Sequence, residues 1–288
     1  MSHAKAPLVV VVNPRATKSS PTRTRAVIDA LATTHQVTLL DTSGAHLRDL
    51  GAFCRSVGAR AVAVMGGDGT LNHACSALLG LPVTVVVIPT GAGNLLARSL
   101  RIPNDPLRAV GLLQRPQPRI VDVPVAAVRL AGSPDRIAIT QVGLGREAQV
   151  VAWADRRRHL PTALRLVVAA VATGGRRKPR FTVRSEDQPE TVATSASVQL
   201  RYPYTRLGPL PVGIRADSGA LAMMLLRPGT RPVTRHFGSA DIAFSAVEEQ
   251  FSVHVDGEPV APAWSAAVVP AAHRMLFLAG ENGFLTGA

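Results

Sequence analysis

Glycines, an aspartate and a threonine stand together at Gly66-Gly67-Asp68-Gly69-Thr70-Leu71-Asn72, and that combination has a chemistry. Glycine lets a backbone approach a bound anion closely, and the unpaired N–H groups and dipole of a helix start favour negative charge there. Asp68 is the odd member, because a carboxylate repels a bare phosphate. A cation bridging the two removes the conflict, so the stretch points to a Mg²⁺-nucleotide. The same glycines also make an ordinary tight turn, and the loop by itself does not separate the two readings.

A strand and a helix must hold such a loop. Residues 61–65, Ala-Val-Ala-Val-Met, form a short apolar run that predicts a buried strand. After the loop, Thr70 is expected to cap a helix over residues 70–79, whose Leu71, Ala74, Leu78 and Leu79 share one face. The pattern repeats through the first ~125 residues. Strands are predicted at 8–12, 36–40, 61–65 and 83–88, and helices at 22–33, 46–57, 70–79, 94–100 and 106–113. Such alternation predicts an α/β, doubly wound parallel sheet, in which ligands collect at the carboxyl ends of the strands. Those ends carry Asn13-Pro14, Asp41-Thr42, residues 66–70 and residues 89–94, all polar or glycine-rich.

Beyond Pro118 the periodicity shortens. Alternating runs at 123–130, 137–142, 181–185, 192–200, 221–226, 242–244, 251–255 and 266–269 predict a second domain, an antiparallel β-sandwich. Helical patterns interrupt it only at 147–156 and 161–173. The expected domains are 1–124, 125–270, and a segment 271–288 that could return to the first.

Lysine and arginine outnumber aspartate and glutamate by 32 to 19, which leaves a net charge of +13. Arg156-Arg157-Arg158-His159 and Arg176-Arg177-Lys178-Pro179-Arg180 concentrate it around the apolar helix candidate 161–173. An apolar helix between basic clusters suits peripheral contact with an anionic membrane; it equally suits a solvated rim around a core helix. Nucleic acid is not expected, because aromatics are only 4% of the chain and none interleaves with the clusters as a stacking platform would require. No run approaches the ~20 residues that cross a bilayer, and residues 8–12 are too short for a secretion signal. Cys54 and Cys75 both lie in apolar helical patterns and read as buried free thiols. The expected location is cytoplasmic, with peripheral membrane association.

Taken in order, several motifs resemble the diacylglycerol-kinase catalytic-domain family, lipid kinases that include sphingosine and ceramide kinases. They are Val12-Asn13-Pro14, residues 66–72, Ile88-Pro89-Thr90-Gly91-Ala92-Gly93-Asn94, Ala97-Arg98-Ser99-Leu100, Ile120-Val121-Asp122-Val123, Gly143-Leu144-Gly145, residues 208–221 and Val255-Asp256-Gly257-Glu258. The resemblance implies ATP and Mg²⁺ as cofactors, a lipid acceptor, and an active site in a cleft between a nucleotide domain and a lipid-holding β domain. It implies that Gly66, Gly67, Asp68, Gly69, Thr70, Leu71 and Asn72 hold the ATP phosphates, and that Asn13, Thr42, Thr90, Gly91 and Asn94 line the nucleotide pocket. It makes Glu258 the proton acceptor for the lipid hydroxyl, and Asp68 and Asp122 members of the acidic network around Mg²⁺. Phosphoryl transfer to an alcohol needs just these functions: positioning, charge neutralisation and one base.

The chain departs from the family pattern at four places. Ala92 stands for a threonine and Leu95 for an aspartate. Arg146-Glu147 replaces an aromatic and an aspartate, and Ser218 replaces one acid of a loop that can hold a structural metal. NAD kinase, which shares the glycine loop, and a non-catalytic nucleotide- or lipid-binding protein of the same fold are the alternatives.

Overall fold

The computed structural model describes residues 5–41, 47–157, 164, 168–169, 171–172, 179–186, 188–200, 219–229, 231–237 and 240–281. The chain divides into two compact units: one runs to Val123 and resumes at His273, the other is Pro124–Ala272.

In the first unit, β1 (Ala6–Val12), β2 (His35–Asp41), β3 (Ala61–Gly66) and β4 (Thr84–Pro89) form a parallel sheet in the order β2-β1-β3-β4. The end of a long strand, β16 (Ser265–Leu278), extends it by placing Leu276 opposite Thr84 and Phe277 opposite Val85, again in parallel. Leu8, Val9, Val10 and Val11 are fully buried, as continuous apolar runs in parallel strands must be. The order β2-β1-β3-β4-β16 changes direction at β1 and β3, and such a switch point is where open α/β sheets bind ligands.

Helices α1 (Pro21–Ala32), α2 (Leu50–Ser56), α3 (Asp68–Leu78), α4 (Leu95–Ser99) and α5 (Pro106–Leu113) connect the strands. Two begin where the sequence says they should. Ser20 accepts from the Arg23 amide at 3.2 Å before Pro21, and Asp105 accepts from the Arg108 amide at 2.9 Å before Pro106. The start of α3 corrects the sequence reading: Gly67 is the cap and Asp68 already lies in the first turn, so Thr70 caps nothing. The helix dipole favours a carboxylate in that turn.

The second unit is a pair of sheets. One has the antiparallel order β12-β11-β10-β7-β14-β15, from β12 (Val233–Phe237), β11 (Leu221–Leu226), β10 (Ser195–Gln199), β7 (Gln141–Gly145), β14 (Phe251–Val255) and β15 (Glu258–Ala263). The other runs from β16 through β13 (Ile242–Ala246) and β8 (Phe181–Ser185) to β9 (Gln188–Ala193). On its far side β5 (Ile120–Leu130) lies beside β16 and pairs with β6 (Ser133–Ala138). Their inner faces share one core that includes Val142, Leu144, Val198, Met223 and Val253 from the first and Val128, Val183, Ile242 and Val268 from the second. At its centre Phe181 packs edge-on to Phe244 at 6.0 Å and tilted to Phe251 at 5.1 Å. Helix α6 (Arg146–Asp155) lies against β7, β10, β14 and β15.

Two predicted strands are each divided. The run 137–142 breaks at Ile139–Thr140, whose amides turn to the Asp256 carboxylate, and 192–200 breaks at Thr194, whose carbonyl accepts from the Arg146 amide. Strand β15 escaped the sequence reading because Pro259 and Pro262 argue against a strand; it is an edge strand, where proline is tolerated. Of the helix candidate 161–173 only Leu164, Val168, Ala169, Val171 and Ala172 are described, all helical. Cys54 and Cys75 are buried and form no disulfide, and burial pushes the Cys54 thiol up from its ordinary range. No helix among the described residues is long and apolar enough to cross a membrane.

Candidate active site

Asn13 and Thr70 meet across the switch point, with Asn13 Nδ2 donating to Thr70 Oγ1 at 2.7 Å. The Asn13 amide bonds the Met65 carbonyl, and its Oδ1 accepts from the Arg15 amide. These bonds fix the chain leaving β1 against the chain leaving β3. The turn after β4 closes on the same spot. The Thr90 amide donates to the Gly66 carbonyl at 3.0 Å, and the two loops approach so tightly that a Cβ on Gly91 would lie 2.5 Å from Gly67 Cα. Only glycine fits there.

Asp68 joins two helix starts. It occupies the first turn of α3, and its Oδ1 accepts from the Leu95 amide at 2.8 Å, the first residue of α4. Leu95, which stands where the resemblance implies an aspartate, meets Asp68 through its backbone N–H. Asn94 holds a left-handed conformation, φ +51°, which asparagine tolerates better than most residues. Its side chain is spent on the loop: Oδ1 accepts from the Gly91 amide, while Nδ2 donates to the Gly91 carbonyl and to Asn104 Oδ1. Leu71 is buried, and its amide bonds the Gly67 carbonyl, so it anchors α3 rather than facing a ligand. Asn72 is buried in the next position, and Gly69 has open space where a side chain would stand.

This cradle fits a Mg²⁺-nucleotide. The first N–H groups of a helix have no partner inside it, and Thr90 Oγ1 is fully buried with no hydrogen-bond partner. Asp68 supplies one carboxylate, which with substrate phosphates suffices for Mg²⁺. Asp122 is half-exposed and pairs with Arg274 at 2.7 Å. Among the described residues no three metal-ligating side chains converge. Thr42 and the loop at Asp217-Ser218 lie outside the described residues. A cavity of about 220 Å³ opens at the opposite, amino ends of the strands, where Ala6, His35, Ala61 and Thr84 line it; burial lowers the His35 pKa from its ordinary value.

In the second unit Glu258 opens β15, directly after a two-residue turn. Asp256 and Gly257 both have positive φ, +49° and +84°, the type I′ geometry that matches strand twist. The Asp256 carboxylate collects the amides of Ile139, Thr140 and Gln141 and the Thr140 hydroxyl at 2.7–2.9 Å. On the other side of the turn the Gly257 amide donates to His254 Nδ1 at 3.2 Å. The motif at residues 255–258 marks this hairpin in the sequence, whereas His254 and Asn104 lie in no recognisable spacing.

Solved structures share this fold, a parallel sheet with a glycine turn at its switch point followed in sequence by an antiparallel β unit. A structure assigned to the diacylglycerol kinases from Bacillus anthracis str. Sterne superposes with a TM-score of 0.74 at 17% identity, covering 97% of each chain. A diacylglycerol kinase from the same organism gives 0.67 at 15% identity, over 97% of this chain and 98% of that one. Yeast NADH kinase complexed with NADH gives 0.61 at 12% identity, over 97% and 85%. No curated protein matches the sequence. Residues 7–126 match the family described as the diacylglycerol kinase catalytic domain.

Proposed function

We propose that the protein is a lipid kinase that transfers the γ-phosphate of ATP to a hydroxyl of a membrane lipid. The observation that carries this reading is the cradle at the β1/β3 switch point, with Asp68 held at the start of α3. Backbone amides of the first α3 turn and the glycine loop would orient the phosphates, and Asp68 would hold Mg²⁺. When bound, the ion neutralises charge on the transferring phosphoryl group. Glu258 accepts the proton of the lipid hydroxyl as that oxygen attacks the γ-phosphorus, and ADP departs. Its hairpin, pinned through Asp256, gives a general base a fixed direction.

The acceptor lipid brings the protein to an anionic bilayer. Leu164, Val168 and Val171 recur at helical spacing and are 51%, 37% and 76% exposed, which supports an apolar face between the two basic clusters. Leu164→Asp with Val171→Asp is expected to abolish sedimentation with phosphatidylglycerol vesicles at low salt; undiminished sedimentation rejects this face.

The test of the function is transfer from labelled ATP to a panel of diacylglycerol, sphingoid base, ceramide and phosphatidylglycerol, with NAD alongside. A phosphorylated lipid is expected. Labelled NADP with no lipid product makes the chain an NAD kinase instead.

A further inference from the structure

A buried polar chain stands behind the Glu258 hairpin. His254 is fully buried on β14 and lies in register with Gly143 of β7 on one side and Pro259 of β15 on the other. Its Nδ1 accepts from the Gly257 amide, so the proton of the neutral ring sits on Nε2. Nε2 makes no hydrogen bond among the described residues and faces Glu147 Oε1 at 3.5 Å. Glu147 is tied in turn to β10: Ser197 Oγ donates to its Oε1 at 3.1 Å, and its own amide donates to Ser195 Oγ at 3.1 Å. Space for this contact is reserved by Gly143, where a Cβ would lie 2.1 Å from His254 Nε2 and 2.6 Å from Glu147 Oε2.

We propose that His254 is a positioning residue for Glu258. The imidazole accepts from the amide of the last turn residue while its other nitrogen stands against the carboxylate of α6, and it thereby fixes the direction in which β15 sets out. Glu258 is the next residue after that amide, so rotation of the Gly257 peptide swings the glutamate directly. A side chain needed only for packing would place no acceptor at a turn amide and no ring nitrogen at a part-buried carboxylate. This inference rests on the reading of Glu258 as the base.

The experiment uses the full chain with His254→Phe and His254→Asn. Asparagine can set an amide oxygen where Nδ1 stands, whereas phenylalanine has no acceptor. The readouts are hydrogen exchange of the Gly257 amide, Mg²⁺-ATP affinity, and turnover with the lipid that accepts phosphate in the panel above. His254→Phe is expected to speed Gly257 exchange and lower kcat at least tenfold with ATP affinity unchanged, and His254→Asn to recover most of both. Unchanged kcat in His254→Phe, equal damage in the two variants, or a parallel loss of ATP affinity and thermal stability overturns the proposal. If no lipid accepts phosphate, the function reading falls, and Gly257 exchange alone decides whether the imidazole holds the turn.

Discussion

The two carboxylates assigned to the chemistry are held in opposite ways. Asp68 sits in a contiguous loop whose glycines, helix start and neighbouring turn are all adjacent elements; its Leu95 bond spans 27 residues. Glu258 sits on a two-residue turn that is fastened from far along the chain, with Asp256 reaching back 117 residues to Ile139. Anion binding can be built locally, because backbone amides at a helix start supply it. A base must be aimed, and aiming a hairpin tip takes bonds from other strands.

The largest expected effect is on that division itself. Asp68→Ala and Glu258→Ala should each lower turnover by on the order of 10² or more in the phosphate-transfer assay, with the fold intact by circular dichroism. Full activity of Glu258→Ala would place the base elsewhere. Next comes the fastening. Asp256→Ala strands three buried amides, so urea unfolding should show a loss of about 2–3 kcal/mol. A smaller effect is expected at the locally built site: Gly91→Ala should cost about 1–2 kcal/mol and weaken Mg²⁺-ATP binding, since its Cβ would stand 2.5 Å from Gly67 Cα. If Gly91→Ala costs more than Asp256→Ala, the contrast between the two regions is reversed.

This contrast also explains what the sequence made legible. The parallel strands and the glycine loop were readable because their signals are local: continuous apolar runs and glycines at a strand end. Ile139–Thr140 and Thr194 were read as strand interior because their neighbours are apolar; what breaks the strands is a carboxylate and an amide brought in by the fold. Leu95 lacks the carboxylate expected from the resemblance, yet its backbone N–H, which every non-proline residue has, contacts Asp68. His254 carries no spacing signal at all. Its meaning depends on Gly257 and Glu147, which only the hairpin and α6 bring to it.

The smallest expected effect lies at the amino ends of the first unit's strands, away from both carboxylates. Burial holds His35 below the ordinary histidine value, so the unfolded chain binds its proton more readily. That contribution to stability is therefore present above the unfolded value, near 6.5, and lost as pH falls through it toward the folded value. Thermal unfolding at pH 7.5 and 5.5 should show a slightly smaller decline for His35→Asn than for the native chain, with equal declines rejecting the assignment.

The division of labour is tested most directly by Mg²⁺-ATP titration of Asp68→Ala and Glu258→Ala, followed calorimetrically and set beside their turnover. Asp68→Ala is expected to lose nucleotide affinity, whereas Glu258→Ala binds Mg²⁺-ATP as the native chain does and transfers almost nothing. Native affinity in Asp68→Ala, or a matching loss of affinity in Glu258→Ala, would contradict the account.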